Sequence, residues 1–166
     1  GTSGPRGGKP ANNDALFIPL EDLRTVLDRN LMTCILVCRE VAPEMIPRKW
    51  GSIVNIGSVD GLWGQENSAI YATAKAAVHE YTRCLALLLR PHNIRVNAIA
   101  PGDVMTPRWM ASRSYDPRMA VEEGTLNRYG RPVEIARIVE FLVSDAASYI
   151  TGQVIRADGG TQCWPA

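Results

Sequence analysis

The chain has 166 residues, 46% of them hydrophobic, which is enough for one sizeable core and points to a single domain. Its 18 basic and 17 acidic residues leave a formal charge of +1, with no long run of either sign, so composition argues against nucleic acid or an anionic membrane as a partner. No apolar run reaches the roughly 18 residues needed to cross a bilayer, and the opening stretch GTSGPRGGKPANND lacks the apolar centre of a signal peptide, so a cytoplasmic protein is expected. Cys34, Cys38, Cys84 and Cys163 form no CxxC pair, and free thiols are expected in place of a metal site or a disulfide framework.

Residues 1 to about 18 read as loop. From Pro19 onward, apolar residues recur at Leu20, Leu23, Leu27, Leu31, Cys34, Cys38, Val41 and Met45, a spacing that predicts one long helix over about 20–46. GSIVNIGS, at 51–58, is short, β-branched and bounded by glycines, as expected of a strand buried on both faces. An alanine-rich helix follows over about 68–90, and NIRVNAIAPG at 93–102 repeats the strand signal with a Pro-Gly stop. A polar, irregular segment spans about 103–131. A further helix is expected at about 132–144 and a last short strand within QVIRADGG, 153–160. Strand alternating with helix is the rhythm of an α/β layer protein with at least three parallel strands.

Within SAIYATAKAAVHEY, Tyr71 and Lys75 stand four residues apart and leave the same helix face. A free tyrosine, with a pKa near 10, is a poor base at neutral pH. A neighbouring ammonium favours the phenolate and makes the pair a usable acid or base. Ser58 lies just past the preceding buried strand, where α/β proteins place groups that touch ligands. A hydroxyl there can donate to a carbonyl or alkoxide oxygen while the tyrosine moves its proton.

Ser58, twelve intervening residues, Tyr71 and Lys75 together resemble the active-site pattern of the short-chain dehydrogenase/reductase family. LDRNLMT, 27–33, is similar to the segment of the family's fourth helix that holds an active-site asparagine, here Asn30. IRVNAIAPGDVMT, 94–106, resembles the strand and turn against the nicotinamide, and GRPVEIARIVEFLVSDAASYITGQVIRADGG, 130–160, resembles the closing helix and last strand. The resemblance implies a Rossmann-like, doubly wound parallel sheet, NAD or NADP as cofactor, and hydride transfer to or from a small carbonyl or secondary alcohol. It implies that Tyr71 is the general acid or base, that Lys75 lowers its pKa and holds the nicotinamide ribose, that Ser58 polarises the substrate oxygen, and that Asn30 holds a relay water. It further implies that Pro101 and Gly102 shape the turn, that Val104 contacts the carboxamide, and that Thr106 reaches the phosphates or carboxamide.

At the front the family's TGxxxGxG turn and complete NNAG motif are not found. GTSGPRGG is not backed by a strand and helix that would make it a phosphate loop, and Gly1 is read as the last residue of an NNAG motif. The 166 residues are therefore expected to be the catalytic, C-terminal two thirds of such an enzyme, a single partial domain without its N-terminal strands and inactive alone. A non-catalytic interaction protein that has lost cofactor binding is the competing expectation. Association into a homodimer or homotetramer is expected from Val26, Leu36 and Val37 on the first helix and Val78, Tyr81, Leu85 and Leu88 on the second, which fall outside a single apolar stripe. Trp109, Met110, Tyr115 and Met119 read as a lid whose bulk implies an apolar substrate.

Overall fold

The computed structural model describes residues 14–112, 114–122 and 124–163. Helix starts at Leu20, behind Pro19 and with Glu21 and Asp22 in the first turn, where acidic side chains complement the positive end of the helix dipole. It runs as α1 (Leu20–Leu27), a π-turn (Asp28–Met32) and α2 (Thr33–Met45), so the single long helix read from the apolar spacing is present with one over-wide turn inside it. Strand β1 (Gly51–Ile56) leads into α3 (Ala69–Leu89), β2 (Ile94–Pro101), α4 (Pro107–Ser112), α5 (Pro132–Val143) and β3 (Val154–Ala157).

All three strands are parallel in the order β1-β2-β3, with Gly51 opposite Ile94 and Ala98 opposite Val154. Successive side chains of a strand face opposite ways, so Ile53 and Val54 enter two different cores. Ile53, Ile94 and Val96 meet Cys38 and Ala42 of α2 and Leu85 and Leu89 of α3 on one face. On the other, Val54, Ile99 and Ile155 meet Ile135, Ile138 and Leu142 of α5. The result is a three-layer α/β/α arrangement with β2 as its most buried strand.

Two buried asparagines tie the layers together. Asn55 Nδ2 donates to Thr82 Oγ1 at 2.9 Å, joining β1 to α3. Asn97, fully buried, donates to the Ile150 carbonyl at 2.9 Å and accepts from the Gln153 amide at 3.1 Å, which holds the turn that enters β3. Buried amides are tolerated in an apolar sheet because their donors and acceptors find partners in this way.

The helical surface differs from the expectation in part. Val26, Val78 and Leu85 are buried in the core, because α3 is covered by the α1–α2 helix on one side and by the sheet on the other. Leu36, Val37 and Leu88 are the exposed members of the set, at 51%, 60% and 67%. No helix among the described residues is long and apolar enough to cross a membrane. No cluster of three metal-binding side chains occurs among them either.

Candidate active site

Two glycines govern how α3 meets the end of β1. A Cβ built on Gly57 would lie 2.1 Å from Nε2 of His79, and one on Gly61 would lie 2.6 Å from the Ala76 nitrogen and 2.7 Å from the Lys75 carbonyl carbon. Neither position has room for any side chain. Between them sits Ser58, buried at 8% exposure, whose hydroxyl accepts from the Asp60 amide at 3.2 Å and caps the short 3-10 turn Val59–Leu62. The Ser58 N–H in turn donates to Nε2 of His79 at 3.4 Å.

Tyr71, Lys75 and His79 recur every four residues along α3 and line up on the face turned toward this turn. Nζ of Lys75 stands 5.8 Å from the centre of the Tyr71 ring and donates to the Ile56 carbonyl at 2.9 Å, at the carboxyl end of β1. Burial pulls its pKa below the ordinary lysine value, with the nearby Cys34 acting in the opposite direction. Burial acts more strongly on His79 and brings its pKa down to about 4, with the charges of Arg83 and Lys75 adding to the effect, so at neutral pH the imidazole is an uncharged packing element. The i+4 and i+8 spacing from Lys75 and Tyr71 was the available sequence signal for that histidine.

Asn30 comes from the π-turn. It is 7% exposed and its Nδ2 donates to the Val26 carbonyl at 2.8 Å. Asn30, Ile56 and Lys75 line a groove of about 360 Å³ between α2 and the outer edge of β1, an edge that no described strand pairs. Cys34 and Cys38 line the same groove, and the Cys38 thiol donates to Oδ1 of Asn55 at 3.5 Å.

The turn after β2 stands at the carboxyl end of the same sheet. Pro101 ends the strand, and the Gly102 N–H donates to the Ala157 carbonyl at 3.0 Å. A Cβ on Gly102 would come within 2.7 Å of Cβ of Asp158, so the turn lies flat against the end of β3. Val104 bridges to Gly130, and the Thr106 hydroxyl accepts from the Trp109 amide at 3.1 Å. Gly102 shares a second cavity, of about 540 Å³, with Val59 beside Ser58 and Ser68 at the start of α3. Lys75 thus stands beside the Tyr71 ring and the end of β1 and shares the first groove with Asn30, whereas Ser58 borders the second cavity only through its neighbour Val59, and Gly102 and Asp103 bring the 101–106 turn to that cavity. Gly1 lies outside the described residues.

Of the lid residues, Trp109 and Tyr115 pack on Tyr129, with ring centres 4.5 and 5.9 Å away. The Tyr129 hydroxyl accepts from the Asp116 amide at 3.1 Å, and the Trp109 indole donates to Asp103 at 3.0 Å. Tyr129, not singled out in the sequence, is the hub of this segment. The aromatic bulk is spent on holding the segment together, and only Met119 of the four lid residues lines the large cavity.

A family profile described as enoyl-(acyl carrier protein) reductase matches residues 6–162. The chain belongs to the short-chain dehydrogenase/reductase family. It is 42% identical over 149 residues to the 3-oxoacyl-(acyl-carrier-protein) reductase of Thermotoga maritima, covering 89% of this chain and 61% of that protein. It is 38% identical over 157 residues to the cyclohexanol dehydrogenase of a Rhodococcus species, covering 92% and 58%. Its backbone matches the crystal structure of a 3-oxoacyl-(acyl-carrier-protein) reductase with bound NAD from Brucella melitensis, with a TM-score of 0.77 and 31% identity over 91% of this chain and 56% of that one. The chain therefore spans about 60% of the length of the curated relatives it matches, and its fold is the Rossmann-like parallel sheet of this family.

The buried histidine makes stability depend on pH in a defined window. With a pKa of about 4 in the folded chain and about 6.5 when unfolded, His79 contributes stability that is complete above pH 6.5 and is lost as pH falls toward 4. Glu134, held at about 2 first by its hydrogen bond from Arg128, loses its contribution only below about 4.5. Urea unfolding is expected to weaken between pH 6.5 and 4 with a limiting slope of about 1.4 kcal/mol per pH unit from His79. A His79→Gln variant that keeps the full slope in that window would refute the assignment.

Proposed function

We propose that the complete protein moves hydride between a nicotinamide cofactor, NAD or NADP, and a carbonyl or secondary alcohol. The observation that carries this reading is the placement of the Tyr71 and Lys75 pair against the Ser58 turn, at the carboxyl end of a parallel sheet. The relatives that support it are a reductase and a dehydrogenase by name. Residues present fit the nicotinamide half of a dinucleotide. The ammonium of Lys75 has three donors and the Ile56 carbonyl uses one, which leaves donors for ribose hydroxyls. The flat Pro101–Gly102 turn, with Val104 and Thr106, would lie along the carboxamide. When bound, the cofactor supplies or accepts the hydride.

The protein's own part is to orient the substrate and move one proton. The Ser58 hydroxyl donates to the substrate oxygen, and in reduction the Tyr71 hydroxyl gives its proton to that oxygen as negative charge develops there. In oxidation the direction reverses and the phenolate takes the proton. Positive charge on Lys75 stabilises the phenolate in either direction. Asn30, set in the π-turn beside Lys75, would hold the water through which the lysine exchanges its proton with solvent.

Tyr71→Phe deletes the proton donor and little volume. In the full-length enzyme, turnover is expected to fall by at least about 100-fold, while cofactor affinity measured by calorimetry stays within about twofold. Undiminished turnover would end the assignment. Lys75→Met is expected to weaken cofactor binding and to shift the rising limb of the alcohol-oxidation profile to higher pH, since the phenol loses its cationic neighbour. An unshifted profile would remove that role from the lysine.

The exposed Leu36, Val37 and Val41 on α2, with Leu88 on α3, form the surface on which a homodimer or homotetramer would be built. Light scattering at micromolar concentration is expected to give at least twice the monomer mass, and Leu36→Glu to lower it. A wild-type monomer would contradict this.

A further inference from the structure

His79 is a buried titratable group for which proton transfer by Tyr71 and Lys75 has no use. Its side chain is 1% exposed and stands one helical turn after Lys75 on α3. These two residues grip alternate positions of the chain leaving β1. Nζ of Lys75 donates to the Ile56 carbonyl at 2.9 Å, and Nε2 of His79 accepts from the Ser58 N–H at 3.4 Å. Gly57 lies between the two grips and lets the ring come close, since a Cβ there would fall 2.1 Å from Nε2.

Three further hydrogen bonds shape the segment. The Gly57 N–H donates to the Ile99 carbonyl at 2.7 Å, the Gly61 N–H to the Ser58 carbonyl at 3.0 Å, and the Asp60 N–H to Ser58 Oγ at 3.2 Å. These seat the turn on the sheet and close it, but none of the three reaches α3. The bond to His79 is the one that sets Ser58 against the helix carrying Tyr71 and Lys75.

The hydrogen bond also selects a tautomer. A neutral imidazole has one donor and one acceptor. With Nε2 facing an N–H, the proton belongs on Nδ1, because the other tautomer would set two donors against each other. Nδ1 is buried without a formed hydrogen bond, and the Gly61 backbone beside the ring favours a proton on it. The ring is thus held in the form that serves Ser58 although its second nitrogen is poorly paired. Ser58 gains from being held. Its hydroxyl accepts from Asp60, which leaves its own hydrogen for a substrate oxygen, the same oxygen that Tyr71 protonates. Two groups that must meet at one atom tolerate little relative movement, and a displacement of about 1 Å can cost on the order of 100-fold in rate.

We propose that His79 is a positioning residue for the reaction: as its Nδ1–H tautomer it accepts the Ser58 N–H and sets the serine hydroxyl in register with Tyr71 and Lys75. The inference rests on the dehydrogenase/reductase reading above for the role of Ser58.

The test uses the full-length protein and begins with nitrogen NMR on isotope-labelled histidine. Protonated and bare ring nitrogens resonate far apart, and the signal missing from a His79→Gln spectrum identifies His79. At neutral pH Nε2 is expected to be the bare nitrogen, and a proton on Nε2 would overturn the proposal. This reading is made on the parent protein and stands whether or not any variant folds. Turnover is then measured with the nicotinamide cofactor and two probe ketones, cyclohexanone and ethyl acetoacetate. His79→Leu, which keeps bulk without an acceptor, is expected to lower kcat about tenfold or more with the cofactor KM within about twofold. His79→Gln, whose Oε1 can accept in place of Nε2, is expected to recover most of the loss. In a Ser58→Ala background His79→Leu is expected to cost no more than about twofold further, because the group it positions is gone. Losses that multiply, or an undiminished kcat in His79→Leu, would reduce His79 to packing and overturn the proposal. A bare Nε2 in a protein that turns over neither ketone would uphold the tie to Ser58 and sink the dehydrogenase reading.

Discussion

Everything at this end of the molecule depends on how closely α3 can approach the chain leaving β1. That distance is set by the missing side chains of Gly57 and Gly61, either of which as alanine would drive a methyl into α3. Because the contact is made without intervening side chains, the segment 57–61 lies directly on the helix and Ser58 is held over the row formed by Tyr71, Lys75 and His79. The cost is borne by His79. Its imidazole fills the space beside Gly57, stays neutral and gives one nitrogen to the Ser58 amide. A positioning device is thereby built from a residue type usually associated with proton transfer, and burial removes it from that chemistry at neutral pH.

The second constraint is electrostatic. Lys75 is drawn partly into the protein, where an ammonium is costly, and the Ile56 carbonyl beside it offsets some of that cost. The strand end that supplies the carbonyl also leads into the glycine pair, so geometry and charge are coupled through three consecutive residues, Ile56, Gly57 and Ser58. A change in β1 register by one residue would dislodge the lysine's acceptor and the serine together.

The elements themselves were legible because their signals are local. Short β-branched runs gave β1 and β2, a Pro-Gly stop closed β2, and residue patterning gave the α1–α2 helix, α3 and α5 to within a few residues, whereas α4 lies in the stretch of about 103–131 that was expected to be irregular. The spacing from Ser58 to Tyr71 and Lys75 was equally visible. What escaped was decided by contacts distant in sequence. Val26, Val78 and Leu85 looked like surface because one stripe already accounted for the core, yet α3 is packed on two sides. Trp109 and Tyr115 looked like substrate contacts because nothing in the sequence marks Tyr129 as their partner.

The π-turn at Asp28–Met32 has a consequence for how the segment can vary. Such a turn accommodates one residue more than an α-helix would over the same rise. Deleting the surplus residue there would let the helix run on regularly with Val26 still turned to the core, whereas deleting one from α2 would rotate everything ahead of it by about 100° about the axis. Val26 would then leave the core and the Asn30 amide would swing away from the groove it shares with Lys75. Helix α2 can therefore exchange side chains more readily than it can change length: its helical phase, more than the identity of most of its residues, carries the information that locates Asn30.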